Sequence, residues 1–298
     1  FFCCVLMSKR ALVHLFRETV TGTGQFVVAC PGTKKCVIID PVLNYDSTSC
    51  KVTTESADEL LKFCDEHGYQ IEWALDTHIH ADHISATNYL TKQTGCNTGI
   101  GDNVRPVQNH FCKHFGLPSN FLDGKFWDRL LHDGDTIDFG DLSIQVMHTP
   151  GHTPADLSYY IPNDSVFVGD SIFMPDMGSA RCDFPGGCVH QLWESCQRIL
   201  SLPDDVRLFV GHDYEPNGRP FSVETTIKQQ KNENIHLKSG TERDQFVDFR
   251  KTRDATLRRP NLLYPSIQFN MRGGIPPTQN AGAKHYFINP VTVSYMKE

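Results

Sequence analysis

The 298-residue sequence contains no pair of cysteines at C-x-x-C spacing. Its 11 cysteines are odd in number and scattered. The pairs Cys30/Cys36 and Cys182/Cys188 are each six apart, a spacing that matches no zinc-knuckle pattern. This argues against a disulfide scaffold and for reduced thiols inside the cell, in a cytoplasmic or mitochondrial compartment. No apolar run approaches the ~20 residues of a membrane-spanning helix, so no membrane partner is expected. No run of Lys or Arg appears, and 28 basic against 35 acidic residues leave a net charge of −7. A nucleic-acid partner is therefore not expected either. There is no low-complexity tract and no short tandem repeat. The first residue is Phe rather than Met, and residues 1–6 are read as an uninformative extension before Met7. Residues 7–298 are expected to form a single domain, with a helical and irregular C-terminal extension from about 223 to 298.

What is present is an alternation of short β-rich runs and amphipathic segments. "ALVHLF", "QFVVAC", "KCVIID" and "IEWALDTH" read as strands. "SADELLKFCDEHG" has an acidic start, helical apolar spacing and a Gly stop, so it reads as a helix. "ADHISATNYLTKQTG" reads as a helix ending at Gly95. "DTIDFGDLSIQVMHTPG" and "DLSYYIPNDSVFVGD" read as hairpins, "HQLWESCQRILSLP" as a helix and "VRLFVGHD" as a buried strand. The chain from Val223 turns helical, and its tail around "NLLYPSIQFNMRGGIPP" reads as irregular. Sheets covered by helices, an α/β class, are expected.

Four of the expected strands end in residues able to bind metal: "WALDTHIH", "IQVMHTPGH", "SVFVGD" and "RLFVGHD". Strand ends on one edge of a sheet can converge on one cleft. In "LDTHIHADHISA", His78 and His80 are two apart and would face the same way on extended backbone. Asp82 and His83 fall where the next helix is expected to begin, and would reach a second nearby position. His152, Asp170 and His212 each follow a Gly that lets the backbone turn closely. A single histidine or aspartate of this kind is ordinarily structural; the dense H-x-H-x-D-H cluster indicates a metal. His110 and His114, four apart, are read as an ordinary helix face. His148 is a candidate supporting group. Cys182, next to Arg181, is weighed as a reactive thiol but read as a plain buried cysteine.

Taken in order, "THIHADH", "TPGH", "GD" and "GHD" resemble the metallo-β-lactamase superfamily. That resemblance implies a four-layer αβ/βα sandwich of two mixed sheets flanked by helices, with a metal site at one sheet edge. "THIHADHISA", "FMPDMGSARCDFPGG" and "VGHDY", with the C-terminal "RDATLRRPNLLYPSIQFNMRGG", resemble the persulfide dioxygenases. They look most like the β-lactamase-like hydrolase type, and less like the mitochondrial ethylmalonic-encephalopathy protein. The family implies one Fe(II) per chain, held by His78, His152 and Asp170. It oxidises glutathione persulfide with O2 to sulfite and glutathione. His80, Asp82, His83 and His212 would then stand nearby, and Arg181 and Tyr214 would meet substrate. Arg181 lies in Ser-Ala-Arg-Cys-Asp, where mitochondrial relatives carry a shorter Gly-Arg-Thr-Asp.

The ligand inventory alone leaves a second arrangement open. His78, His80 and His152 could hold one zinc, Asp82, His83 and His212 another, with Asp170 bridging. Two zinc ions would generate a hydroxide for thioester or ester hydrolysis of the glyoxalase II type. A catalytically silent scaffold is a third reading, set against the intact ligand set. By analogy with relatives, a homodimer is expected.

Overall fold

The computed structural model describes residues 10–122, 125–277 and 285–290. Met7 and the six residues before it lie outside the described residues. In chain order the elements are β1 (Leu12–Glu18), β2 (Thr23–Ala29), β3 (Lys35–Ile39), β4 (Val42–Asp46), β5 (Lys51–Thr53) and α1 (Glu55–His67). Next come β6 (Gln70–Leu75), β7 (Ile84–Ser85), α2 (Thr87–Thr94), β8 (Asn97–Gly101), α3 (Val104–His114) and β9 (Arg129–Leu131). The second half holds β10 (Thr136–Phe139), β11 (Leu142–His148), β12 (Leu157–Ile161), β13 (Ser165–Phe167), α4 (Val189–Leu200) and β14 (Arg207–Phe209). It closes with β15 (Glu224–Thr226), α5 (Ile227–Glu233), α6 (Arg243–Asp254) and α7 (Leu263–Asn270).

Two six-stranded mixed sheets result, ordered β1-β2-β3-β6-β8-β9 and β10-β11-β12-β13-β14-β15, with a small β5-β4-β7 sheet beside them. The period-two pattern of β2 and β3 explains the layering. Phe26, Val28, Val37 and Ile39 point into the main core, where they meet Ile144, Tyr159 and Phe167 of the second sheet. Val27, Ala29, Cys36 and Ile38 point the other way, onto Ala57, Leu60 and Cys64 of α1 and Leu90 of α2. On the far side, Leu192, Cys196 and Ile199 of α4 and Phe246 and Val247 of α6 join the main core. The order of layers is thus helix, sheet, sheet, helix. A third cluster packs Ile79 and Ala81 of the β6–β7 loop against Val104, Val107 and Phe111 of α3 and Ile267 of α7. No described helix is long and apolar enough to cross a membrane.

Three local expectations are corrected. The segment from Ala81 is not helical: Ile84 and Ser85 pair with Leu43 and Val42 of β4, and α2 begins only at Thr87. This pairing is tertiary and leaves no local periodicity to read. The tail expected to be irregular contains α7, whose Ser266, Ile267, Gln268, Phe269 and Asn270 are all buried. The expected helix from Glu224 starts as β15, the edge strand of the second sheet, and turns helical at Ile227.

Candidate metal centre

Four loops converge on one place, each leaving the C-terminal end of a strand. The loop after β6 carries His78, His80, Asp82 and His83; those after β11, β13 and β14 bring His152, Asp170 and His212. The first loop belongs to one sheet and the other three to the second. His78 and His80 lie beyond the end of β6, not on extended backbone, yet their ring centroids are 4.0 Å apart. Glycine permits the close approach of the strand-end loops. Gly169 adopts φ +48, and a Cβ on Gly211 would stand 2.8 Å from the Asp170 carboxylate.

His78, His152 and Asp170 each offer one ligand atom, all within 4.8 Å of one another. His152 Nε2 stands 3.8 Å from Asp170 Oδ2. Hydrogen bonds at the far side of each ring fix which nitrogen faces inward. Thr77 Oγ1 donates to Asp40 Oδ2 at 2.9 Å and so accepts from His78 Nδ1–H at 3.0 Å. The His152 Nδ1–H donates to the Arg181 carbonyl at 2.8 Å. The inward Nε2 of His78 is buried and has no hydrogen-bond partner. Burial, then the neighbouring His80, push the His78 pKa well below its ordinary value, so the ring is neutral with a lone pair facing inward. A neutral imidazole presenting an unpartnered lone pair beside a second imidazole and a carboxylate fits a divalent metal.

A second set, His80, Asp82 and His83, also has ligand atoms within 4.8 Å of one another. His80 Nδ1 and His83 Nε2 are buried without partners. The surroundings of the two sets differ. Burial alone would lower His80, but Asp40, which accepts from its Nε2 at 3.0 Å, together with Asp76 and Asp82 lifts it to about 9. His212 lies between two carboxylates, its Nδ1 2.7 Å from Asp170 Oδ1 and its Nε2 2.8 Å from Asp82 Oδ2. Burial works against its charge, but Asp170 and Asp82 outweigh it and hold His212 well above its ordinary pKa. Asp170 is likewise buried, and the His212, His78 and His152 rings keep it well below the carboxylate range.

Sequence reasoning missed three supporting residues. Asp40, buried at φ +51 immediately after β3, binds Thr77 and His80 together. It is a fifth strand-end polar residue, and the positional regularity could have found it. Thr23 Oγ1 lies 3.1 Å from His212 Nε2. Asn270 binds the carbonyls of His80 and His83 and left no signal in the sequence.

A cavity of about 430 Å³ opens over the triad, lined by Asp82, His152, Asp170, Arg181 and Tyr214. The Tyr214 ring stacks on His212 at 6.0 Å with the planes 6° apart. Arg181 lines the cavity with its side chain engaged inside the protein. Its Nε and Nη2 both donate to Asp183 at 2.5 Å, and its Nη1 donates to the Arg258 carbonyl at 2.8 Å. Its charge is spent within the protein, and its carbonyl orients His152. Nor does it activate Cys182: burial, then Asp254, push that thiol up to about 12. His148 Nε2 lies 3.0 Å from the Pro154 carbonyl and pins the loop instead of facing the triad. His110 and His114 lie on α3 with stacked rings 6.3 Å apart.

The comparisons agree with this geometry. Residues 21–212 match the model of the family described as Metallo-beta-lactamase superfamily. "Glyoxylase B2" of Dictyostelium discoideum is 43% identical, covering 98% of this chain and 100% of that protein. "Persulfide dioxygenase ETHE1, mitochondrial" of Homo sapiens is 28% identical, covering 89% of each chain. The crystal structure of ETHE1 from Myxococcus xanthus, 27% identical, superposes with a TM-score of 0.72 over 89% of this chain and 100% of that one. With four histidine- and aspartate-bearing loops set at the strand ends of a two-sheet sandwich, the chain belongs to the metallo-beta-lactamase superfamily.

Proposed function

We propose that the chain is an iron-dependent persulfide dioxygenase acting in sulfide detoxification. Glutathione persulfide, O2 and water give glutathione, sulfite and two protons; the terminal sulfur is oxidised and O2 is reduced. The observation that carries this reading is the His78–His152–Asp170 set. Two histidines and one carboxylate form the ligand set of non-haem Fe(II) oxygenases. The likeness to ETHE1 supports it. His78 and His152 would hold iron through Nε2, and Asp170 through the carboxylate oxygen facing them. Iron held there would supply the redox chemistry between sulfur and O2. The residues around it orient and hold charge. The Arg181 carbonyl and Thr77 fix the two imidazoles, His212 keeps Asp170 ionised, and Tyr214, at the cavity wall, would hydrogen-bond substrate.

A second reading is a dizinc thioester or ester hydrolase. It is supported by the name of the Dictyostelium relative and by the unpartnered nitrogens of His80 and His83. Metal analysis by mass spectrometry, on protein purified without added metal, separates the two. One iron per chain and oxygen uptake with glutathione plus sulfur are expected. Two zinc ions per chain with turnover of S-lactoylglutathione would overturn the dioxygenase reading. The same proposal takes residues 7–298 as one unit, working inside the cell as a homodimer; light scattering giving only monomer would refute the last point.

A further inference from the structure

A second cavity, of about 220 Å³, adjoins the metal pocket and shares Ala81, His152, Arg181 and Pro260 with it. Its walls are apolar, with Phe111, Phe184 and Leu263, and its rim is polar, with His110, His114, Asp183 and Arg259. Two arginines line it, and they differ in one respect. Arg181 is neutralised by Asp183, as described above. Arg259 makes no ion pair among the described residues. One of its Nη1 hydrogens is donated to the Tyr264 hydroxyl, and its guanidinium lies 5.1 Å from that ring's centroid. The Tyr264 hydroxyl is also 3.3 Å from His114 Nε2. A guanidinium carries five N–H donors, so most of those on Arg259 remain available to an anion. The hydrogen bond to the Tyr264 hydroxyl and the nearby ring pre-orient the planar fork, which lowers the entropy cost of engaging a carboxylate.

We propose that Arg259 and this side cavity form a carboxylate subsite. It takes one arm of a substrate whose reactive sulfur lies at the His152 face of the metal pocket. The cavity has room for one amino-acid arm of a tripeptide, while the larger metal pocket holds the remainder. The proposal rests on the reading above only for the identity of the thiol as glutathione. A dioxygenase and a thioester hydrolase would use the subsite alike. Anion recognition would fall to Arg259, which is free of ion pairs among the described residues, and not to Arg181, which is paired with Asp183.

The test is calorimetric titration of glutathione, and of glutathione diethyl ester, into metal-loaded protein at low salt. Wild type should bind glutathione about tenfold more tightly than R259Q does, and R259Q should bind the acid and the diester with similar affinity. R258Q alters the adjacent exposed arginine and should stay within about twofold of wild type. The subsite is overturned if R259Q binds glutathione as wild type does, if wild type does not bind it measurably, or if R258Q loses as much as R259Q. Arg259-dependent binding without oxygen uptake would sink the dioxygenase reading and leave the subsite standing. Oxygen uptake with R259Q affinity unchanged would do the reverse.

Discussion

The Asn270 side chain holds the metal-binding loop from 187 residues away, donating at 2.8 Å to the His83 carbonyl. It donates also to the His80 carbonyl at 2.8 Å, and its oxygen accepts from the Ser85 backbone N–H at 2.8 Å. One buried amide thus satisfies three main-chain groups of the loop that carries four of the candidate ligands.

Asn270→Ala is expected to lower stability by about 2–4 kcal/mol, because it strands buried main-chain groups. Urea denaturation measures the loss. Metal content per chain should fall with it, since the loop loses its tether.

Thr77→Val keeps the shape of the side chain and removes the hydroxyl between Asp40 and His78. Metal affinity should drop roughly 10–100-fold, the usual penalty for losing an outer-shell partner. Competition against a chelator gives the number, and an unchanged affinity would rule out the relay.

Gly211→Ala puts a methyl 2.8 Å from the Asp170 carboxylate. The carboxylate must move, so metal content and activity should both fall. Circular dichroism should remain that of the folded protein, because the clash is confined to the strand-end loop.

His236 provides a pH-dependent test away from the metal. Burial, then the charges of Arg250 and Arg253, push it down to about 4, and its Nδ1 accepts from the Ser179 N–H at 3.0 Å. The unfolded chain takes up this proton near pH 6.5 and the folded chain only near 4. Between those values the unfolded state binds more protons, so stability rises with pH. Acidification from 6.5 to 4 should therefore cost about 2 kcal/mol from this group, discounted for its partial exposure, with no further loss below 4. His236→Gln should flatten that part of the profile, as measured by urea denaturation across pH.

The candidate site was legible because its ligands obey a positional rule: each ends or follows a run of β-rich residues. Asp40 follows the same rule after "KCVII" and went unmarked because one aspartate between a strand and a proline looks like an ordinary turn. Asn270 could not be read, since its partners are carbonyl groups, which every residue carries. Helix α7 was hidden by Pro265 and by the Gly273-Gly274 pair beyond its end. For Arg181, the sequence did not show that Asp183, two residues on, takes up its charge. The sandwich itself followed from alternation: β2 and β3 are apolar on both faces, as strands covered on both sides must be.

The triad draws His78 from one sheet and His152 with Asp170 from the other. An ion bound there works as a staple across the sandwich. The sheets cannot part without breaking its coordination, so each tenfold excess of free metal over its dissociation constant adds about 1.4 kcal/mol against unfolding. Chelation should therefore loosen the scaffold as well as silence the chemistry, making this protein's lifetime a gauge of metal supply.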